Sequence, residues 1–227
     1  MAEKILDYER EVFLWLNGSD SPYFDHFMWL YTNKIVWFPL ALFFIFLLIY
    51  KKNWKEWCLV LFSLFLVFLL CDQFASGVCK PLFARFRPTF HPDFKNQVDI
   101  VFGYRGGRYG FISSHAANAF GFAAFTSLLF RDRRYTVAIF IWSTIMAYTR
   151  IYLGVHFITD VIPGAVFGIL FGYLVYLFYR YSRKKLIGYE GGTALYSKTR
   201  IDYILIGMGI TLIALISFNA AIISVLR

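Results

Sequence analysis

Between Ile35 and Leu226 the chain returns again and again to long apolar stretches with almost no charge. They run from about Ile35 to Tyr50, Cys58 to Val78, Ser113 to just before Arg131, Tyr135 to Gly154, Phe157 to Tyr179, and Ile201 to Leu226. A hydrocarbon environment offers backbone N–H and C=O groups no water, so such a run must close its hydrogen bonds within itself, as a helix. This commits the chain to an all-α fold: a polytopic membrane helical bundle with about six transmembrane helices. Composition agrees, since 59% of the 227 residues are hydrophobic and only 16% are charged, against about 25% charged in soluble domains.

The residues before the first run read differently. Between positions 3 and 16, Ile5, Leu6, Val12, Phe13, Leu14 and Leu16 alternate at helical spacing with Glu3, Asp7, Glu9, Arg10 and Glu11. That pattern is too polar to cross a bilayer and fits an amphipathic helix lying in the interface. Asn17-Gly18-Ser19 ends it. Residues 22–34 are aromatic but carry Asp25, His26 and Lys34, and read as a continuation along the membrane surface. The acidic N-terminus has no basic segment followed by an apolar core and small-residue cleavage site, so no signal peptide is expected. The expected organisation is one membrane-embedded domain over 1–227, with an interfacial segment at 1–34 and a long polar loop at 79–111. Loops of that length between spans usually carry function.

A net charge of +9 raises the question of nucleic acid. The basic residues concentrate between apolar runs, as membrane topology demands, and no basic helix or nucleic-acid motif accompanies them. Lys51, Lys52 and Lys55 follow the first run, Arg131, Arg133 and Arg134 the third, and Arg180, Arg183, Lys184, Lys185, Lys198 and Arg200 the fifth. Alternation of spans puts all three groups on one side, assigned as cytoplasmic. The loop 79–111 and the segment Arg150–Asp160 then share the opposite side. The three cysteines, Cys58, Cys71 and Cys79, have no metal-ligand spacing and an odd count, and are expected to be small buried hydrophobes.

Three polar clusters interrupt this apolar chain, and ionisable groups at membrane depth are costly enough to be kept for function. The first is K-P-L-F-A-R-F-R-P, Lys80 to Pro88, where a helix would project Lys80 and Arg87 from one face. A lysine brings a point charge and an arginine a planar fork for two phosphate oxygens. Basic residues closing a span account for this cluster equally well. The second, F-I-S-S-H-A-A-N from Phe111 to Asn118, opens the third run. Ser113 there is a candidate N-cap, a helix N-terminus favours an anion, and His115 titrates near neutrality. An ordinary capped helix with an interfacial histidine explains it too. The third is T-R-I-Y-L-G-V-H-F-I-T-D, Thr149 to Asp160. Four residues apart, His156 and Asp160 would share a helix face, with Asp160 orienting an imidazole able to attack phosphorus. A structural ion pair is the plain alternative, and no spacing favours a metal.

Taken together, K-x6-R-P, then S-x-H, then R-x5-H-x3-D closely resembles the phosphatidic acid phosphatase type 2 family, which includes bacterial lipid phosphatases and is related to vanadium haloperoxidases. The motifs cover Lys80 to Asp160. Three positions depart from the family pattern: Ile112 stands where proline is usual, Ser114 where glycine is usual, a familiar bacterial variant, and Thr149 where serine is usual.

The resemblance implies the following roles. His156 is the nucleophile that forms a phosphohistidine, Asp160 its orienting acid, and His115 the general acid and then base. Lys80, Arg87, Ser113, Ser114 and Arg150 hold the phosphate. No metal or other cofactor is implied. Arg105 and Arg108, in G-Y-R-G-G-R-Y-G, are candidates for a head-group contact or belong to a flexible lid.

The expected activity is metal-independent hydrolysis of a phosphate or pyrophosphate from a membrane lipid, a phospholipid or an isoprenoid phosphate. The candidates are undecaprenyl pyrophosphate, a lipid A phosphate, phosphatidylglycerol phosphate and phosphatidic acid. The expected location is the bacterial inner membrane, multi-pass, with the site facing the periplasm or cell exterior. A transporter or structural protein with non-catalytic ion pairs, and a haloperoxidase-like oxidoreductase, are the alternatives.

Overall fold

The computed structural model describes residues 2–93, 95–188 and 195–226, with side chains described from residue 9 onward. The side chains of Glu3, Ile5, Leu6 and Asp7, and residues 189–194 of the expected basic loop, lie outside the described residues. Eight main helices follow in order: α1 Ala2–Leu16, α2 Pro22–Thr32, α3 Lys34–Ile49, α4 Trp54–Phe83, α5 Ser114–Phe130, α6 Arg133–Tyr152, α7 Ile158–Ile187 and α8 Lys198–Leu226. Among the described residues the fold is all-α, apart from one isolated bridge between Phe86 and Tyr109.

Helices α4, α7 and α8 are long and apolar enough to cross a membrane, and α2 with α3 forms a fourth candidate bent by 46°. Asn33 stands at that bend: its side chain accepts from the N–H of Ile35 and caps α3. α2 packs on α6 and α8 and buries Leu30 and Tyr31. α4 contains a π-helical stretch, Gln73–Cys79, immediately before Lys80. Such widened turns rotate the side chains that follow them and recur near functional sites.

The centre of the bundle is the pairing of α5 with α7. Gly164, Gly168 and Gly172 fall one turn apart on α7 and face α5. A methyl group built on them would stand 2.6 Å from the Ser113 carbonyl, 2.3 Å from that of Ala117 and 2.5 Å from that of Gly121. The two backbones therefore touch, as small-residue seams allow in membranes. Around the pair, a core of Leu48, Val60, Val67, Phe125, Phe130 and Tyr135 joins α3 to α6.

The basic ends gather at the far end of the bundle. Arg200 donates to the carbonyls of Leu47 and Tyr50 at 2.8 and 2.6 Å. Arg134 pairs with Asp202 at 2.9 Å and Arg183 with Glu56 at 2.9 Å, and Lys52 donates to the Leu195 carbonyl. Three sequence expectations are corrected here. α7 continues past Tyr179 to Ile187, so Arg180, Arg183, Lys184 and Lys185 lie on helix, not loop. Basic residues in a last turn favour the carbonyl end of the helix dipole, which explains why the helix outlasts its apolar run. Cys58 is exposed, unlike the buried Cys71 and Cys79. Lys80 to Phe83 completes α4, so the irregular segment begins at Ala84.

Candidate active site

The link between α6 and α7 sets the geometry. His156 precedes the cap residue Phe157, and Asp160 occupies the first turn of α7. The two do not share a helix face, because His156 is outside the helix. They meet because the Asp160 carboxylate folds back toward the cap: Oδ2 accepts from the N–H of Phe157 at 3.0 Å and faces His156 Nδ1 at 3.4 Å. An acid there satisfies a free amide and favours the helix dipole. Both side chains are fully buried, and His156 Nε2 has no hydrogen-bond partner among the described residues.

The first cluster also arrives by a route other than the expected one. Lys80 and Arg87 do not ride two turns of one helix: Ala84 takes a left-handed conformation, φ 43°, and ends it. The chain then runs extended, and Arg87 N–H donates to the Arg108 carbonyl at 3.1 Å across the Phe86–Tyr109 bridge. The Arg87 guanidinium donates to the carbonyls of Tyr109 and Val155 at 3.1 and 3.2 Å, fixing it beside the histidine link. Gly106, at φ +68°, lies over it; a methyl there would stand 2.8 Å from Arg87 Nη1. Lys80 Nζ reaches Ser76 at 2.8 Å and Ser114 at 3.3 Å, which ties α4 to the start of α5.

Ser113 caps α5: its hydroxyl accepts from Ala116 N–H at 3.4 Å, while its own N–H donates to the Asp160 carbonyl at 2.9 Å. His115 sits within electrostatic reach of His156, Arg150, Arg87 and Lys34. Arg150 is buried in the last turn of α6, donating to Thr32 at 2.8 Å and to the Tyr104 hydroxyl at 3.1 Å. Its Nε has no partner among the described residues. Burial first, then the charges of Arg87, Arg150 and Lys80, hold the His156 imidazole well below its ordinary pKa. It is therefore neutral near pH 7, among three fixed cations suited to an anion with several oxygens.

Arg105 and Arg108 are exposed on the loop above. Arg108 stacks over Phe86, and the Arg105 carbonyl accepts from Thr89. Four residues escaped the sequence reading: Arg85, Glu9, Tyr104 and Thr32. Arg85 donates to Asp160 Oδ1 at 2.8 Å, to the Thr159 hydroxyl at 2.6 Å and to Glu9 at 3.0 Å. Glu9, from α1, also accepts the N–H and hydroxyl of Thr159 at 2.6 and 2.7 Å. Arg85 does lie inside the Lys80–Pro88 stretch, but nothing local marks its partner. Among the described residues no three His, Cys, Asp or Glu side chains assemble as a metal site.

This all-α membrane fold, with its buried His–Asp pair among lysine and arginine, is that of a PAP2-type phosphatase. The PAP2 superfamily model matches residues 56–184, and the chain belongs to that superfamily: it is a multi-pass membrane lipid phosphatase. Among individual proteins, it is 47% identical over 186 residues to the lipid A 4'-phosphatase of Porphyromonas gingivalis, covering 82% of this chain and 79% of that one. The lipid A 4'-phosphatase of Bacteroides thetaiotaomicron is 36% identical over 178 residues, 78% of this chain and 79% of that one. Of solved structures, Aquifex aeolicus LpxE aligns with TM-score 0.54 and 28% identity, covering 74% of this chain and 94% of that one. The PAP2-type phosphatidylglycerolphosphate phosphatase of Bacillus subtilis shares the fold at TM-score 0.58 and 22% identity, covering 78% of this chain and 87% of that one.

Proposed function

We propose that this chain removes the 4'-phosphate of lipid A through a phosphohistidine at His156. One observation carries the chemistry: the imidazole turns Nδ1 to Asp160 and leaves Nε2 without a partner among the described residues, buried beside Arg87, Arg150 and Lys80. Nε2 attacks phosphorus, the bond from phosphorus to the sugar oxygen breaks, and His115 gives that oxygen a proton. Water then attacks the phosphohistidine, His115 takes its proton, the P–N bond breaks and inorganic phosphate leaves. Lys80, Arg87, Arg150, Ser113 and Ser114 hold the equatorial oxygens. Arg105 and Arg108, exposed above the site, contact the sugar head group.

The substrate assignment rests on the two curated relatives, both named for this reaction. The proposed topology has six spans, α3 to α8, in one domain over 1–227, with 1–34 at the interface. α5 is packed between α4 and α7, and α6 packs on α5 and α2. The basic ends face the cytoplasm, and the site, with the irregular segment that begins at Ala84, faces the periplasm of the inner membrane.

The test is phosphate release from purified protein on lipid A bearing phosphate at both ends, with mass spectrometry locating the lost group. Loss of one phosphate from the 4' sugar is expected, with His156→Gln slower by at least about 10³-fold. Wild-type protein that spares lipid A but cleaves phosphatidylglycerol phosphate, phosphatidic acid or undecaprenyl pyrophosphate would replace the substrate and keep the chemistry.

A further inference from the structure

A cleft of about 680 Å³ opens beside the site and runs into the bundle between α3, α4, α5, α6 and α8. Thr32, Lys34, Ser114 and His115 form its rim, and Asp72 of α4 also lines it. Its body is apolar, formed by Ala41, Phe44, Leu64 and Phe122 among others, and Tyr135 and Ile139 line it where α6 begins. On the membrane side, Phe38, Ala41 and Ile45 of α3 and Phe68 of α4 line the cleft and are exposed. The cleft is thus open to lipid along its length and joins the phosphate site at its rim, through His115 and Ser114.

Asn118 breaks the apolar pattern. It lies one helical turn beyond His115 on the same face of α5. Its Oδ1 is buried and has no hydrogen-bond partner among the described residues. A buried amide oxygen is costly without a donor, and no donor comes from the described residues around it.

We propose that this cleft seats one hydrocarbon chain of the lipid substrate, and that Asn118 accepts a hydrogen bond from an amide N–H or a hydroxyl near the head of that chain. The reading rests on the phosphatase assignment above. The volume falls in the range of ligand pockets, about 300 to 1,000 Å³. An ordinary bilayer chain would fill the apolar body but would give Asn118 no donor. A chain bearing a donor satisfies both parts of the cleft while its phosphate lies at His156.

The experiment uses the full chain in nanodiscs and synthetic amino-sugar phosphates carrying one chain each. A myristoyl chain is compared with a butyryl chain, and an amide-linked or hydroxylated myristoyl chain with a plain ester. Ala41→Trp fills the cleft from its exposed lip. It is expected to lower kcat/KM on the myristoyl substrate at least about tenfold and to leave the butyryl substrate unchanged. Equal loss on both, in protein that melts like wild type, overturns the chain site. If Ala41→Trp melts lower, Ile45→Trp on the same lip is read by the same rule.

Wild type is expected to prefer a donor-bearing chain by about tenfold, and Asn118→Leu to abolish that preference. The favoured chain tells amide from hydroxyl. No preference in wild type, or a preference that survives in Asn118→Leu, overturns the role of Asn118. Absence of phosphate release from every one of these amino-sugar phosphates by wild type would instead sink the lipid A assignment on which the proposal rests.

Discussion

Arg85 approaches the Asp160 carboxylate at 2.8 Å, closer than His156 does at 3.4 Å. The acid facing the histidine is thus held from behind by a cation, which is itself paired with Glu9 of α1 at 3.0 Å. Asp160 is shared between two positive partners once the imidazole becomes cationic, and Glu9 limits how strongly Arg85 competes for it. Glu9→Gln is expected to lower kcat several-fold with little change in KM, because in the proposed mechanism the pair orients a reacting group and does not bind substrate. Arg85→Lys, which keeps charge but loses the fork, is expected to recover part of the activity lost in Arg85→Ala. Steady-state kinetics of the three variants check this; a loss confined to KM would refute it.

The histidine should also show its surroundings in a pH profile. Burial and three cations hold His156 neutral well below the usual histidine pKa of about 6.5. A group with a depressed pKa loses its neutral form only when pH falls through that lower value. Protonation of His156 is therefore expected to leave kcat/KM undiminished between pH 7 and about 6. An acid limb near 6.5 on a substrate whose own phosphate does not titrate there would contradict the burial.

At the opposite end of the bundle, Glu56 accepts from the Tyr179 hydroxyl at 2.8 Å and from Arg183 at 3.0 Å. Both ions are largely buried. Removing one partner leaves the other uncompensated, so Glu56→Ala is expected to cost about 3 kcal/mol. Glu56→Gln, which keeps an acceptor for Tyr179, is expected to cost less. Thermal melting in detergent separates the two.

The apolar runs were legible because a bilayer leaves backbone no choice but a helix, and the catalytic-type residues because their order along the chain is a pattern. What could not be read was how they meet. Lys80 and Arg87 were expected on one helix face; a left-handed residue at Ala84 intervenes, and alanine gives no sign of it. His156 and Asp160 come close through a folded-back cap, not through helix periodicity. Arg85 and Glu9 are 76 positions apart, and no local preference encodes that bond. The amphipathic pattern of α1 placed Glu9 on the polar face, yet it is buried against Thr159 and Arg85. Cys58 followed the hydropathy rule only in part, since a helix facing lipid has no need to bury a small apolar residue.

The seam between α5 and α7 makes a sharper demand. A methyl group on Gly168 would stand 2.3 Å from the Ala117 carbonyl, so Gly168→Ala must push the helices apart. A loss of about 2 kcal/mol and most of the activity is expected. Gly209→Ala on α8, where a methyl would meet no described residue beyond its own helix within 4 Å, is the control; it is expected to be neutral or to gain up to about 1 kcal/mol from helix preference. Melting and phosphate release measured on both variants decide the matter.

That same seam bears on how an enzyme keeps its geometry in a fluid solvent. Lipids around a bundle change thickness and lateral pressure continuously, and helices that meet only through long side chains can slide in response. Ser113 and His115 ride on one member of the glycine-lined pair, Asp160 on the other, and the Ser113 N–H is bonded to the Asp160 carbonyl. Main chain resting on main chain leaves no soft layer to absorb such shifts, so Ser113, His115 and Asp160 travel as one rigid block while the outer helices accommodate the bilayer.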